Sequence, residues 1–527
     1  SQADVTAALV TTDSMVEVTD VVVNITDDDF SANTNNVTIA ASDLKNIGNA
    51  TTGTVTLDNA VKITGNQADV TAALVSTDSL VVAGHTGTIA NVSTAVTAAQ
   101  GKAIAAATNI NAEFAGGVED STTNLYDTNN TAITDNFDAI TTEDADVEVT
   151  ISDAAFNGNN VNATIAATTL SGIGNATTGT VTVDNAVKIT GSQAEVTDAL
   201  VTTDSLVEVG AAVVNITDLA FNGNNVNNTI AASDLKNIGN ATTGTVTVDS
   251  AIKITGSQAD VTAALVTTDS MVEVGAAVVN ITDLAFNGNN VNNTIAASDL
   301  KNIGNATTGT VTVDSAIKIT GSQADVTAAL VTTDSMVEVT DVVVNITDDD
   351  FSANTNNVTI AASDLKNIGN ATTGTVTLDN AVKITGSQSD VTAALVTTDS
   401  KVVAGHTGTI ANVTTTVTAE QGAGYTTINN VNATFSSGVE DSTANLTKNA
   451  TEISDNLDTI TNFDTSTNIT ITDDDYDSTN NDNSVLATRL SAIGNATTGT
   501  VTVTNAVRVE GNQAQVTEAL VSTDSMV

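Results

Sequence analysis

The sequence predicts a repeat solenoid, β-rich with short helices. The prediction rests on internal repeats and on the absence of proline between them. The phrase SQADVTAALVTTDSMVEV begins at Ser257, at Ser322 and at Ser1, and near-copies begin elsewhere at Asn66, Ser192, Ser387 and Asn512. Units this short cannot bury a core alone, so they are expected to stack. Proline, which commonly separates independent beads, is absent. We therefore predict a parallel β-solenoid-like stack of α/β repeats, with tandem small α/β beads as the alternative.

The spacing of the copies sets the predicted domain organisation. Neighbouring copies lie 65 residues apart, except where a divergent cassette is inserted in two of the repeats. The predicted segments are 1–65, 66–191 (cassette about 94–153), 192–256, 257–321, 322–386, 387–511 (cassette about 415–473) and the partial repeat 512–527. We expect the cassettes to be contact sites, because they interrupt an otherwise uniform chain. We also expect the sequence to be a segment of a longer protein, because it opens and closes in the same phase of the repeat.

One standard repeat, Ser257–Gly321, predicts two half-units of helix, turn, strand and strand. Ser257 begins an N-capping pattern, and Val261, Ala264 and Leu265 follow at helical spacing. Strands are predicted at Met271–Gly275, Val278–Thr282, Thr310–Val313 and Ile317–Thr320, from period-two alternation. A second helix is predicted at about Asp299–Ile303 with Ser298 as its cap, after a loop at Phe286–Asn293. In the first cassette the same logic predicts a helix at Asn130–Ile140 and a strand at Val147–Ser152.

Composition excludes several classes of function. The formal net charge is −48, which argues against binding to nucleic acid and to anionic membrane surfaces. There is no cysteine, so disulfides, thiol catalysis and cysteinyl metal sites are excluded. The sequence contains no transmembrane run, and we predict no direct membrane insertion. No phosphate loop or catalytic triad pattern is present, and near-verbatim repetition suits avidity or length better than a single active site. We therefore predict that the protein is not an enzyme.

Clusters of aspartate are the candidate metal ligands. They follow predicted strands and enter asparagine-rich loops, and hard cations such as calcium prefer carboxylate and amide oxygens. In the third cluster the alternate carboxylates resemble the start of a calcium loop, although the glycine and the terminal glutamate of an EF-hand are missing. A solvated acidic loop is the alternative interpretation. The predicted calcium ligands are Asp27, Asp28, Asp29, Asp348, Asp349, Asp350, Asp473, Asp475 and Asp477.

Three other recurring features have structural interpretations. Six aromatic residues lie three positions after an Ile-Thr/Ser-Asp phrase, and core packing is predicted for this column: Phe30, Phe156, Phe221, Phe286, Phe351 and Tyr476. His85 and His406 occupy equivalent Ala-Gly-His-Thr-Gly turns, where we expect a turn or packing role. Asn-x-Thr sequons, such as those at Asn24, Asn49 and Asn215, permit glycosylation but arise from composition alone.

The chain resembles the giant repetitive surface proteins of bacteria, including cyanobacteria. The resemblance is carried by the Val-Asn-Ile-Thr-Asp strand ends, the Gln-Ala-Asp-Val-Thr-Ala-Ala-Leu helices and the phrase Val439–Leu446 in the second cassette. It implies export without a cleaved N-terminal signal, folding that often depends on calcium, and a role in fibres, surface layers or adhesion.

These observations together predict an extracellular structural protein of the cell surface. We expect a fibre, filament, sheath or surface layer that forms by self-association, with cell-surface polysaccharide as a further candidate partner. End-to-end stacking through open strand edges gives self-association a physical route. The alternative is the stalk of a calcium-dependent adhesin, and the third hypothesis is a β-helical enzyme that acts on polysaccharide.

Overall fold

The computed structural model describes most of the chain, in two compact units. The described residues are 1–13, 16–30, 37–158, 163–222, 228–287, 293–351, 358–477, 479, 483–522 and 526–527. The first unit consists of Ser1–Ile254 with Ala263–Ala277, and the second consists of Thr255–Thr262 with Val278–Val527.

The helices are short, and most begin at a Ser, Thr or Asn cap or directly after a strand. Their bounds are α1 (Gln2–Leu9), α2 (Ala41–Ala50), α3 (Gln67–Leu74), α4 (Ala98–Ala105), α5 (Thr122–Leu125), α6 (Asp135–Glu143), α7 (Ala167–Gly174), α8 (Gln193–Leu200), α9 (Ala232–Asn240), α10 (Gln258–Leu265), α11 (Ala297–Asn305), α12 (Gln323–Leu330), α13 (Ala362–Asn370), α14 (Gln388–Leu395), α15 (Ala419–Tyr425), α16 (Thr443–Leu446), α17 (Asp455–Phe463), α18 (Ala487–Gly494) and α19 (Gln513–Leu520). Helices of this length are marginal alone and depend on packing.

The strands are also short. In the first half of the chain they are β1 (Val23–Ile25), β2 (Thr38–Ala40), β3 (Val55–Leu57), β4 (Lys62–Gly65), β5 (Val81–Ala83), β6 (Thr88–Val92), β7 (Ile110–Glu113), β8 (Val118–Asp120), β9 (Tyr126–Asp127), β10 (Ala132–Ile133), β11 (Val149–Ile151), β12 (Thr164–Ala166), β13 (Val181–Val183), β14 (Lys188–Gly191), β15 (Val207–Val209), β16 (Val213–Ile216), β17 (Thr229–Ala231), β18 (Val246–Val248), β19 (Lys253–Gly256) and β20 (Val272–Val274).

The second half continues the same series. Its strands are β21 (Val278–Ile281), β22 (Thr294–Ala296), β23 (Val311–Val313), β24 (Lys318–Gly321), β25 (Val337–Glu338), β26 (Val343–Ile346), β27 (Thr359–Ala361), β28 (Val376–Leu378), β29 (Lys383–Gly386), β30 (Val402–Ala404), β31 (Thr409–Val413), β32 (Val431–Phe435), β33 (Val439–Asp441), β34 (Ile469–Ile471), β35 (Ser484–Leu486), β36 (Val501–Val503) and β37 (Arg508–Glu510).

In the standard repeats each strand pairs in parallel with the strand after the next one. The first unit contains the ladder β12-β14-β16-β18-β20, and the second contains β22-β24-β26-β28-β30. The register keeps equivalent side chains in line, so that Ile189 lies opposite both Ile165 and Val214. The architecture is therefore a repetitive α/β one, built from many short parallel strands.

Equivalent strands of successive repeats lie in different ladders. The described part of Ser257–Gly321 supplies five strands, β20 to β24. Each strand pairs with the strand two further along, so that even-numbered and odd-numbered strands form separate ladders. A repeat of five strands therefore places the equivalent strand of the next repeat in the other ladder. Within the second unit, β24 lies in the ladder β22-β24-β26-β28-β30, whereas its equivalent β29 lies in β27-β29-β31-β32.

The core lies between the ladders and the helices. Ile319 and Val344 are fully buried on neighbouring strands, and Leu300 and Ile303 of α11 are fully buried beside them. Helix and strand approach closely at Gly321, where an added Cβ would lie 3.0 Å from the Cβ of Ala297. A larger residue at either position would push α11 away from β24, which explains the Gly–Ala pairing.

The structure confirms the predicted helix with Val261, Ala264 and Leu265 on one face, since all three are buried in α10. A strand overlaps each of the four predicted stretches of this repeat, and β24 extends one residue beyond its stretch, to Gly321.

Three details of the predicted secondary structure are wrong. Thr294–Ala296 forms the unpredicted strand β22, so the second half-unit has a third strand. Helix α11 begins at Ala297, and its N-cap is Ala296, without a side-chain cap, rather than Ser298. The physical reason is that β22 runs straight into the helix, because its pairing with β24 extends to Ala296. In the first cassette α6 begins at Asp135 rather than Asn130, because the preceding residues form the hairpin β9–β10.

Candidate functional site

The first aspartate of each predicted calcium cluster binds the start of an earlier helix. Asp27 Oδ2 accepts a hydrogen bond from Gln2 N at 2.5 Å, and Asp348 Oδ2 accepts one from Gln323 N at 2.6 Å. Asp473 accepts hydrogen bonds from Thr443, at 2.8 Å from N and 2.9 Å from Oγ1. Each carboxylate therefore satisfies a backbone N–H that a helix leaves unpaired in its first turn.

The same contact occurs in repeats that lack the other two acids. Asp218 Oδ2 lies 2.6 Å from Gln193 N, although Leu219 and Ala220 follow it in place of aspartates. At two positions a threonine replaces the carboxylate, as where Thr94 Oγ1 accepts from Gln67 N at 2.9 Å. The first aspartate is thus a capping residue that joins consecutive segments of the repeat, whether or not a cluster follows it.

The remaining predicted ligands lie at the start of the loops. Asp28 and Asp349 are exposed, and Asp29 and Asp350 are half-buried. The asparagine-rich residues 31–36 and 352–357 that follow them lie outside the described residues.

In the third cluster, Asp475 Oδ1 accepts from Ala506 N at 2.8 Å. Asp477 Oδ1 accepts from Thr479 N at 2.7 Å and from Thr479 Oγ1 at 2.6 Å, and these bonds lower the pKa of Asp477. Among the residues that the structure describes, no group of three or more His, Asp or Glu side chains is arranged to hold a metal ion. Calcium binding at these loops stays a prediction.

The aromatic column is not the core that we expected. All six rings are half-buried, and each lies against a cation 32 residues further on. Lys318 Nζ, for example, lies 5.7 Å from the centre of the Phe286 ring, and Arg508 lies 5.6 Å from that of Tyr476. The ring is anchored from its backbone, since Phe286 N donates to Ala316 O at 2.7 Å. Sequence reasoning missed this because it treated the aromatic and the lysine positions separately.

The histidines have the expected turn role. His85 Nδ1 accepts a hydrogen bond from Gly87 N, and His406 Nδ1 accepts one from Gly408 N, both at 3.2 Å.

Two kinds of sequon differ in accessibility. Asn49 is exposed at the end of α2, whereas Asn215 is only 4% exposed. Asn215 Nδ2 donates to Asp249 Oδ2 at 2.6 Å. Its side chain is therefore committed to packing between adjacent strands and is inaccessible to modification in the folded chain.

The first cassette forms an antiparallel hairpin, whereas the ladders of the standard repeats are parallel. Strand β9 pairs with β10, with Tyr126 opposite Ile133, and Thr131 at the turn has a φ of 51°. The hairpin packs against α7 and leaves a groove of about 540 Å³ beside α5 and β12. Its lining includes Tyr126, Asp127 and several threonines.

Sequence reasoning placed a contact site in this cassette but did not identify these residues. The sequence did contain one indication of the groove. Gly172 of α7 departs from the standard repeat, which has an asparagine at the equivalent position, for example Asn302 in α11.

The second cassette differs at this place. Thr447, at the position of Tyr126, forms an antiparallel bridge with Ile453. The groove beside it, about 630 Å³, is lined by charged residues that include Lys448, Glu452 and Asp455. Lys448 Nζ lies 3.5 Å from Asp455 Oδ1.

Comparisons with known proteins give no assignment. No family model matches the chain, and no curated protein matches it. None of the helices in the described part of the chain combines the length and the apolar character that a membrane crossing requires.

Proposed function

We propose that this chain is an extracellular structural protein: a continuous solenoid that self-associates into a surface fibre, filament, sheath or layer. One observation carries the proposal. The recurring polar residues of the repeat mostly connect one strand–helix segment to the next, rather than converging on a single place. This use of polar residues is what we expect of an extended structural protein, in which each segment has to be joined firmly to the next.

Three recurring contacts illustrate this use. The aspartate after the strand binds the preceding helix, as in the Asp348–Gln323 contact. Thr372 Oγ1 donates to Val342 O at 2.6 Å, thirty residues earlier in the chain. Asn380 Nδ2 donates to Asp348 O at 2.7 Å, 32 residues earlier. Each contact joins neighbouring strand–helix segments, and each is repeated along the chain in equivalent residues.

The parallel register also supports a continuous solenoid over separate beads. A bead would end its sheet at a repeat boundary, which in the second unit falls between Gly321 and Ser322. The ladder β22-β24-β26-β28-β30 runs across that boundary, and Lys318 of one repeat pairs with Val343 of the next. A sheet shared between consecutive repeats gives each of them a neighbour on which its stability depends.

Charge governs how such molecules would associate. A net charge of −48 opposes close approach between copies unless ions screen it. Millimolar calcium, acting through exposed carboxylates such as Asp28 and Asp349, would lower that repulsion. The proposal therefore includes calcium as the cation of assembly and the aspartate clusters as its first candidate ligands. A cell-surface location follows from the resemblance to bacterial surface proteins and from an acidic, cysteine-free composition.

Sedimentation velocity over a range of protein and calcium concentrations tests self-association. We expect large species whose proportion rises with both concentrations. A single monomeric species under every condition would favour the alternative, the stalk of an adhesin. Protease treatment of intact source cells tests location, since a surface protein would be degraded and an internal one would survive.

A further inference from the structure

The groove of the first cassette is built around one tyrosine. The Tyr126 ring lies against Gly172 of α7, where an added Cβ would be only 2.2 Å from Cε2 and 3.0 Å from Cζ. Glycine is therefore required for the ring to occupy this position. The ring is half-buried and lines the groove. In the second cassette both features are gone together: Thr447 replaces the tyrosine, and Ala492 replaces the glycine.

Helix α7 has lost the charges that its equivalents carry. Its Thr169 and Ser171 stand where α11 has Asp299 and Lys301. Thr169 is 5% exposed and lines the groove beside the first strand of the ladder, β12. In a chain of net charge −48, α7 carries no charged residue of its own next to the one aromatic ring that the hairpin presents.

Hydroxyl groups and one carboxylate complete the lining. Thr122, Thr134 and Thr164 lie around the groove with Asp127. Asp127 Oδ1 accepts from Asn129 N at 2.9 Å, and Oδ2 accepts from Asn130 Nδ2 at 2.6 Å. The bond from the Asn129 backbone, with those from Asn130, lowers the pKa of Asp127, so the carboxylate is an acceptor at neutral pH.

This combination points to an uncharged ligand that is rich in hydroxyl groups and has an apolar face. Aromatic faces pack against the C–H face of a sugar ring, and hydroxyls and a carboxylate pair with its equatorial oxygens. A few convergent polar groups around an aromatic platform are typical of small-ligand sites. The ionised Asp127 and the charge of the whole chain oppose uronic acids and sulfated sugars.

We propose that the groove between the Tyr126 hairpin and α7 binds a neutral saccharide, as a short segment of an uncharged glycan. The proposal goes beyond fibre formation and does not depend on it, because the groove lies within a single chain. It places a recognition site at the first cassette only, because the second cassette has Thr447 and Ala492 at the equivalent positions.

Isothermal titration calorimetry on the whole chain, without calcium, tests the proposal. The probes are maltohexaose, cellohexaose, laminarihexaose and chitohexaose, with an oligogalacturonate hexamer as the acidic comparison. We expect at least one neutral hexasaccharide to bind at one saturable site, more tightly than the acidic one. No binding of any neutral probe at about 1 mM, or tighter binding of the acidic probe, would overturn the proposal.

Two variants locate the site. Gly172→Ala would displace the Tyr126 ring, and Tyr126→Thr would remove it; each should weaken binding by about ten-fold, the value of one aromatic contact and its packing. The matched control is Ala492→Gly in α18, which should leave the affinity unchanged. Unchanged binding in both Gly172→Ala and Tyr126→Thr would overturn the assignment.

A loss of intrinsic helix propensity does not explain weaker binding in Gly172→Ala, because alanine favours a helix more than glycine does. Hydrogen exchange of the unaltered chain provides a second readout that needs no variant. Saturating saccharide should slow exchange in β9, β12 and α7, and protection elsewhere with none in these elements would contradict the proposal. Failure of the chain to form fibres would leave these results unaffected, so the two proposals fail separately.

Discussion

The carboxylate of Asp348 lies 2.6 Å from the backbone nitrogen of Gln323, the first residue of α12. The two residues are 25 positions apart, so one hydrogen bond ties the end of a strand to the start of the preceding helix. Asp348 is also the first residue of a predicted calcium cluster. Helix capping and calcium binding are therefore roles that neighbouring carboxylates can divide between them, and the two roles can be tested with separate variants.

Replacement of the capping carboxylate should destabilise the chain without calcium. We expect Asp348→Ala to cost about 1 kcal/mol, because it leaves an N-terminal helix N–H without an acceptor. Asp348→Thr should cost less, since Thr415 Oγ1 accepts from Gln388 N at 2.8 Å in the equivalent place. Native-state hydrogen exchange in α12 measures the effect locally, which suits a repeat chain whose unfolding need not be two-state.

The neighbouring Asp349 is the matched control for calcium. Asp349→Asn removes an exposed charge and leaves the cap intact, so it should not weaken α12 in chelator. If calcium binds this loop, the same variant should reduce the stabilisation that calcium gives, measured as the shift in exchange rate on adding calcium. Equal calcium responses in the unaltered chain and in Asp349→Asn would count against a site there.

The first threonine of each Gly-Asn-Ala-Thr-Thr-Gly phrase, such as Thr242, is buried and should contribute strongly to stability. Thr242 Oγ1 donates to Ala212 O at 2.5 Å and accepts from Gly244 N at 3.0 Å. Thr242→Val would leave both backbone groups without this partner and should cost about 1–3 kcal/mol. Thr242→Ser keeps the hydroxyl and should cost clearly less. Urea unfolding followed by circular dichroism compares the two; equal losses would mean that the methyl group contributes as much as the hydroxyl and would contradict the dominant role given to the hydrogen bonds.

The lysine over each aromatic ring should contribute modestly. Lys318→Ala should cost about 0.5–1 kcal/mol, the range for partly exposed cation–aromatic contacts. Lys318→Arg should retain the contact, because Arg508 lies over Tyr476 in the same arrangement. Hydrogen exchange in β24 gives the local change, and a loss as large in the arginine variant as in the alanine variant would contradict a cation–aromatic role.

Asp144 should make stability fall as the pH rises. Burial, with the nearby Asp146 and Glu113 carboxylates, raises the pKa of Asp144 above its ordinary value of 3.8. The folded chain therefore holds this proton more tightly than the unfolded chain does. Its contribution is present below the ordinary pKa and is lost as the pH rises through the folded pKa.

Asp144→Asn should remove that pH dependence. The amide oxygen can still accept the hydrogen bond from Phe114 N, now 2.6 Å from Asp144 Oδ2. We expect the variant to be more stable than the unaltered chain at neutral pH and to lose that advantage near pH 3. Denaturant midpoints across this range provide the measurement, and a parallel pH profile for the two proteins would refute the account.

Much of the fold could be predicted from the sequence because repetition supplies many copies of each signal. Period-two alternation located β20, β21, β23 and β24, and the capping pattern located α10. Strand β22 escaped because Thr294-Ile-Ala296 is too short for alternation to be recognised and continues directly into a helix. Its identity depends on pairing with β24, which is 24 residues away.

The candidate site was less predictable. The aspartate clusters were visible as charges, but the capping role of Asp27 requires knowing that Gln2, 25 residues earlier, lies beside it. The aromatic column was interpreted as core because the sequence does not show that Phe286, in the loop after β21, meets Lys318 of β24, 32 residues later. Tyr126 had no signal of its own, and its meaning comes from the space that Gly172 leaves in another element.

Electron microscopy of the protein from its native source, with calcium and then after chelation, tests the central claim most directly. The account predicts ordered filaments or sheets in calcium that dissolve when the cation is removed. Isolated molecules under both conditions would contradict a structural polymer and favour the stalk of an adhesin.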